Sequence, residues 1–423
     1  MKLLGNILKG VGGILIAVIF YGVIVNNIKK VEFEYEVISK NVKNAEDFIF
    51  TDDGEIIISK EDSLIRIDRF NNFENIFSDK TIKFGDLAYD GDELFYLYGN
   101  KLNSYNVEKE VHSILLDDIP SYGDYYDNKL LIKDNFLYLT VGAATNSGVV
   151  GSDNTWNNNE KSDIASYEFH LSGENFGANE TGPFMSYGKS SKKDQEIKEG
   201  YIGNASIIKL NLENKEFETI AHGVRNVEGI DFDNNGDLFI SSGGMEARGY
   251  RPIHGDSDYL YKLVDGGFYG WPDYSGGDAI DSAKFKHEDY KTQEKILVDN
   301  SKYPLAPIYE HDSLSSLGTM AVDKSGDLKS VNSFFVFDKN DKSIFNLNIN
   351  GEKTKFFDTL SENIEKLIIN DKKLYVLDSD NGNLYSIFKS DNKMFSNSIT
   401  IPIIIIFSLI SLNTIFFIKI FLK

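Results

Sequence analysis

Only five arginines occur in the 423-residue chain, against 39 lysines, and three of the five (Arg225, Arg248 and Arg251) fall in one short stretch. A Lys-rich chain that concentrates Arg in this way has a use for a planar, permanently charged fork, which binds an oxyanion through two parallel hydrogen bonds. Surface ion pairing is the plainer reading of the same cluster. Cysteine is absent, which excludes disulfides, thiolate metal sites and Cys nucleophiles. The six histidines (His112, His170, His222, His254, His287 and His311) form no H-E-x-x-H, and no phosphate-binding Gly loop is present. The formal charge is −21, and −25 within residues 26–398 once the four terminal lysines are set aside. Such a surface repels nucleic acid and anionic headgroups. The acidic excess reads either as solvated loops or as oxygen ligands for Ca²⁺, a hard cation.

The elements that must position these side chains are strands. Hydrophobic residues make up 41% of the chain and aromatic ones 13%, enough for a large core, while helical periodicity is almost missing from the middle. A unit recurs instead, made of a turn with Asp, Asn or Gly, an alternating apolar strand, a second turn and another strand. Copies start at Asp52, Tyr89, Lys133, Asp233, Asn332 and Asn370. The spacing is roughly 40 residues where nothing is inserted, the period of a four-stranded propeller blade. The expected fold is all-β, a six-bladed β-propeller over residues 40–390, with an irregular β-sandwich as the alternative. The third copy is interrupted by an insertion from Thr145 to Gly203, and the fourth is followed by a long connection through Gly270 and His311. Long loops on a regular β scaffold usually build the binding face, which puts the site at the channel mouth near the third and fourth units.

The stretch around the arginines carries G-x-R-N-x-x-G at Gly223–Gly229, D-x-x-G-x-L at Asp233–Leu238, an Asp-containing loop at Asp258 and Y-G-W-P at Tyr269–Pro272. With LYLTVGAATNSG from Leu137 and GNASIIKLNLE from Gly203, this set resembles the glucose/sorbosone dehydrogenase family, β-propeller enzymes that use pyrroloquinoline quinone (PQQ). The resemblance spans about Asp47 to Lys389. It implies hydride transfer from a sugar to the quinone, assisted by Ca²⁺. By motif, Arg225, Asn226, Arg248 and Arg251 are the implied cofactor contacts. Backbone carbonyls of Ile253 and Gly255, with Asp256 and Asp258, are the implied Ca²⁺ ligands. The family's catalytic His has no counterpart here: its position falls on or beside Tyr125, in GDYYDNKLLIKDNFLYL. A phenol is a poor base near neutrality, and Asp124 or Asp127 would need desolvation to replace it. His254 and His311 are further surrogates. Trp271 reads as a packing residue and the Glu246–Arg248 neighbours as a surface pair. No Arg follows Arg251, so Lys339 or Lys342 would have to meet the quinone carboxylates.

Two apolar runs flank the propeller. Residues 8–28, with Gly10 to Val25 uncharged, read as an N-terminal transmembrane anchor or a cleaved signal peptide. Residues 399–421 read as a C-terminal transmembrane helix or a buried core helix. Two crossings would put the middle on the extracytoplasmic face of a cell membrane. The sequence thus supports a membrane-anchored, PQQ-dependent sugar or alcohol dehydrogenase. It also supports a catalytically impaired propeller that binds carbohydrate or protein. A lactonase-type propeller with central Ca²⁺ is a third reading. The electron acceptor is not readable.

Overall fold

The computed structural model describes residues 33–390 apart from 82, 157–159, 287–290, 299–301 and 360. Both apolar runs lie outside the described residues. Among the described residues no helix is long and apolar enough to cross a membrane. One compact unit, Glu36–Ser386, contains nearly all of them.

The described residues are all-β, with a single short 3₁₀ turn among them at Ala283–Phe285, and their sheet layout fits a β-propeller. Six sheets of four or five strands follow one another along the chain. The first is formed by Ala45–Phe50, Ile56–Lys60, Ser63–Ile67 and Phe73–Ser78, and the second by Phe84–Asp90, Glu93–Tyr98, Lys101–Asn106 and Val111–Leu116. The third contains Leu130–Lys133, Phe136–Val141, Ser206–Asn211 and Phe217–His222, with Gly267–Phe268 added in parallel. Val227–Phe232, Leu238–Ser242, Tyr259–Lys262 and Tyr309–Glu310 make the fourth. The fifth is Leu317–Asp323, Ser333–Asp338, Ser343–Leu347 and Lys353–Asp358. The sixth joins three late strands, Lys366–Asn370, Lys373–Asp378 and Asn383–Lys389, to the early strand Phe33–Ser39. Each of the six sequence copies supplies the two middle strands of one sheet. These strands are apolar because neighbouring sheets bury both of their faces: Val336, Phe337, Phe345 and Leu377 are all 1% exposed or less.

The first strand of each sheet is an edge, hydrogen-bonded to a sheet neighbour on one side only, and its remaining N–H groups need acceptors. Side chains of the preceding sheet supply them. Asp47 Oδ2 accepts from Leu87 N (2.8 Å) and Asp86 Oδ2 from Leu130 N (2.7 Å). Asp231 Oδ2 accepts from Val322 N (2.9 Å) and Thr319 Oγ1 from Leu367 N (3.2 Å). Lys366 Nζ links the sixth sheet back to the first two, donating to Asp47 (3.1 Å) and Asp86 (3.2 Å). Burial and the neighbouring Asp86 carboxylate push the Asp47 carboxyl up to about 8.

The insertion from Thr145 to Gly203 folds onto the long connection between the third and fourth strands of the fourth sheet, within which the expected connection through Gly270 falls. Phe169–Leu171 pairs with Gln195–Ile197 on one side and with Leu297–Val298 on the other. Phe169, Leu171 and Phe184 share a core with Trp271, Ile280 and Ile296. The buried Arg251 guanidinium ties the two segments, with Nη2 2.7 Å from Asp273 Oδ1 and Nη1 2.9 Å from both Ser147 O and Pro272 O. At the root of the insertion, Asp163 accepts from Ala144 N (2.6 Å) and from Thr145 Oγ1 (2.5 Å).

Burial pushes Asp163 up to about 7 from an ordinary value near 3.8. Between those two values the folded state holds a proton that the unfolded state has lost, so this group's contribution to stability falls as pH rises from about 4 to about 7. Asp163→Asn is expected to remove a pH-dependent loss on the order of 3 kcal/mol, read as a flatter melting temperature between pH 5 and 8 in buffers of fixed ionic strength. An unchanged pH slope in the variant would contradict the assignment.

Candidate functional site

A cavity of about 280 Å³ opens between the segment that enters the third sheet, the first strand and loops of the fourth, and the start of the fifth. Its walls include Asp124, Tyr125, Asp127, Arg225, Asn226, Glu228, Gly243, Glu246, Asp258, Ser315 and Lys339. Local backbone chemistry explains how these reach one place. Tyr125 lies in the segment entering the third sheet, crossing Gly142 so closely that a Cβ there would sit 2.0 Å from Tyr125 O. Arg225 lies between Phe217–His222 and Val227–Phe232, and its carbonyl accepts from Ala143 N (2.8 Å). A β-bulge between Val227 and Gly229 breaks regular alternation here, and Asn226, Val227 and Glu228 all line the cavity. The loop after Leu238–Ser242 brings in Glu246 and Arg248. Its Gly244 has no room for a side chain, since a Cβ would meet Ser257 O at 2.0 Å.

Arg225 is 5% exposed. Nε donates to Asn146 O (3.1 Å), and Nη2 donates to Asn146 Oδ1 (2.8 Å) and to the Tyr125 hydroxyl, with Glu246 Oε2 at 3.4 Å. The guanidinium also lies over the Tyr125 ring, 4.0 Å from its centroid. Burial pulls Arg225 down to about 10 despite the nearby Glu246, which leaves it protonated at neutral pH. Arg248 spans three carboxylates: Glu246 Oε2 (2.5 Å), Asp124 Oδ2 (2.6 Å) and Asp153 Oδ2 (2.7 Å). It also donates to Tyr125 Oη (2.9 Å). Burial works against its charge, but the bonds to Glu246 and Asp124 raise its pKa further. Burial would raise Glu246 as well; Arg248 and Arg225 instead hold it below the usual carboxylate range. Trp156 Nε1 donates to Asp124 Oδ1 (2.6 Å), so the insertion reaches the same cluster.

On the opposite wall Lys339 Nζ is 2.8 Å from Glu228 Oε2, and Asn226 Nδ2 donates to Glu228 Oε1 (2.7 Å). Below them Lys129 Nζ contacts Asp127 Oδ2 (2.7 Å). Against the upward pull of partial burial, Lys129 holds the Asp127 carboxyl low, and the Asp127 side chain is 62% exposed.

The structure thus brings Arg225, Asn226, Tyr125, Asp124 and Asp258 to one cavity, with Arg248 in contact behind them. Arg251 lies apart, fully enclosed as the brace between the inserted segments. Ile253 and Gly255 do not line the cavity, and Ile253 N donates to Glu246 O (3.1 Å). Asp256 accepts from Met245 N (2.6 Å), Ser257 N (2.8 Å) and Tyr259 Oη (2.6 Å), and burial raises its pKa. His311 is buried beside Asp338 Oδ2 (3.2 Å), stacked on Phe345 and bonded to Tyr309 Oη (3.2 Å), while His254 is outside the cavity lining. Burial lowers the His311 pKa against the pull of Asp338. Trp271 is a packing residue whose Nε1 donates to Asn146 O (3.1 Å). Sequence reasoning missed Glu228 and Asn146 and gave Glu246 too small a part. Glu228 falls inside the motif at Gly223–Gly229 and Asn146 inside the segment from Leu137, so both stood in stretches the sequence singled out without being marked as contacts.

No family model matches the chain, and no curated protein matches it in sequence. Solved structures do. The holo form of the pyranose dehydrogenase PQQ domain from Coprinopsis cinerea aligns with TM-score 0.57 and 13% identity, covering 85% of this chain and 96% of that one. The PQQ-bound aldose sugar dehydrogenase from Streptomyces coelicolor gives 0.54 and 11%, with 85% and 98% covered. A calcium structure of a Trichoderma reesei carbohydrate-active enzyme of family AA12 gives 0.56 and 13%, with 85% and 96% covered. The chain has a glucose/sorbosone dehydrogenase-like fold at low sequence identity.

The residues present do not fit the two groups that this likeness brings to mind. Asp258 is saturated: Oδ1 accepts from Gly244 N (3.1 Å) and Ser315 N (3.0 Å), and Oδ2 from Ser316 N (2.6 Å) and Leu317 N (2.9 Å). With Asp256 engaged as well, neither carboxylate is left for Ca²⁺, and no group of three His, Asp or Glu side chains among the described residues is arranged to hold a metal. PQQ carries three carboxylates, whereas both cavity-lining cations, Arg225 and Lys339, already face carboxylates. No step is derived through either group.

Asp258→Ala strips the acceptor from four N–H groups, three of them buried, and is expected to destabilise the fold by about 3 kcal/mol or more, measured by urea unfolding. The wild-type melting temperature should not move on adding EDTA or Ca²⁺; a calcium-dependent rise of several degrees would mean that Asp256 and Asp258 ligate the ion after all.

Proposed function

We propose that this chain is a six-bladed, sugar-dehydrogenase-like propeller that binds a neutral carbohydrate or polyol in its axial cavity. The observation that carries the reading is the cavity itself. It has small-ligand size, and its walls are rich in hydrogen-bonding groups. Its charges are paired internally, which suits hydroxyl groups better than a charged ligand. Asp127 is the acceptor most open to the interior, and Asn226, Tyr125 and Ser315 offer amide and hydroxyl groups around it. The two flanking apolar runs support membrane anchoring with the propeller on the extracytoplasmic side.

Ligand-observed NMR with a panel of aldoses and alditols is expected to show saturable binding to the wild type, weakened about tenfold in Asp127→Ala. No binding by any member of the panel would end the proposal. Protease added to intact cells should digest the propeller; complete protection would reverse the proposed orientation.

A second reading, retained PQQ-dependent sugar oxidation, runs against the paired charges of the cavity and is favoured by one observation: Arg225 and Asn226, the pair that matches the family motif, stand on the cavity wall. It predicts reduction of an artificial electron acceptor once protein, PQQ, Ca²⁺ and an aldose are combined. Turnover should fall sharply in Arg225→Lys, because a point charge cannot copy the fork. The absence of any reduction removes this reading.

A further inference from the structure

Every cation at or just behind the cavity has a carboxylate against it. Arg225 faces Glu246 (3.4 Å), Arg248 faces Glu246, Asp124 and Asp153, Lys129 faces Asp127 (2.7 Å), and Lys339 faces Glu228 (2.8 Å). On the wall itself the carboxylates of Asp124, Asp127, Glu228, Glu246 and Asp258 outnumber the two cations. Glu228 and Glu246 differ from the other three in where they act. Asp258 clamps backbone, Asp124 holds Trp156 and Arg248, and Asp127 answers Lys129. Glu228 and Glu246 sit directly on Lys339 and Arg225, the only cations of the wall among the described residues, and Asn226 and Ser315 fix their second oxygens (2.7 and 3.0 Å).

We infer that Glu228 and Glu246 are specificity-determining residues that make the cavity reject carboxylated ligands, PQQ and sugar acids included, while admitting neutral ones. An incoming carboxylate would have to displace a built-in one that is already oriented, or else lie unpaired beside it. Both alternatives cost interaction energy in a partly desolvated site. A neutral hydroxyl meets no such penalty, since it donates to the glutamates and accepts from the cations. The inference rests on reading this cavity as the ligand site, but it concerns charge selection alone.

The test uses the full-length protein and two probes, PQQ and D-glucuronate, with binding followed by quenching of intrinsic fluorescence and by equilibrium dialysis. Wild type is expected to bind neither. Glu228→Gln with Glu246→Gln keeps the shapes and frees Arg225 and Lys339, and should bind PQQ at least about tenfold more tightly than wild type, with an affinity that falls as salt is added. Glu228→Gln alone, whose partners are confined to Lys339 and Asn226, should give a smaller gain and serves if the double variant does not fold by circular dichroism. Tight PQQ binding by wild type overturns the inference, as does a folded variant with no gain. Failure of wild type to bind neutral sugars would count against the proposed function and leave the charge selection standing, so the two are separable.

Discussion

The fold depends on the satisfaction of one set of exposed backbone edges. A ring of separate sheets leaves the first strand of each with a hydrogen-bonded neighbour on one side only. Each of those N–H groups left buried and unpaired would cost about 1–3 kcal/mol. Asp47, Asp86, Asp231 and Thr319 answer this by reaching from one sheet to the N–H of the next. Placing carboxylates there creates the second problem, mutual repulsion at short range, and Lys366 between Asp47 and Asp86 is the local answer. These aspartates therefore have an internal structural use.

The same economy governs the cavity. Arginine and lysine side chains that approach it are each neutralised by an acid from an adjoining element, so the cluster around Tyr125 holds its geometry without a ligand. Two guanidinium groups at one phenol would repel each other, and Glu246, with Asp124 and Asp153 behind it, is what lets Arg225 and Arg248 stand so close. The likeness to solved sugar dehydrogenases is therefore a likeness of scaffold. The charges at the centre are arranged differently from what an anionic cofactor asks of its host.

What could be read from the sequence follows from which strands are packed on both faces. The middle strands of each sheet are enclosed on both sides, so their apolar runs and turn signals stand out, and all six copies land on them. First strands carry buried Asp at positions where a core strand would carry Val or Ile, and outer strands such as Phe73–Ser78 and Val111–Leu116 are largely exposed; neither gives a clean pattern. Arg225 and Asn226 were found through a compact motif. Arg251 was misleading because a buried structural guanidinium and a ligand-binding one look alike in sequence. Asp256 and Asp258 read as ion ligands because spacing cannot show that a carboxylate is already filled by backbone donors.

The shared core of Phe169, Phe184, Trp271 and Ile296, with Arg251 on Asp273, makes the two excursions from the regular sheets a single heritable cassette. Shortening either one alone would expose the other's apolar face and strand a charge in the interior. Divergence among relatives, and any attempt to transplant this rim onto a plainer propeller, must therefore move both pieces together or neither.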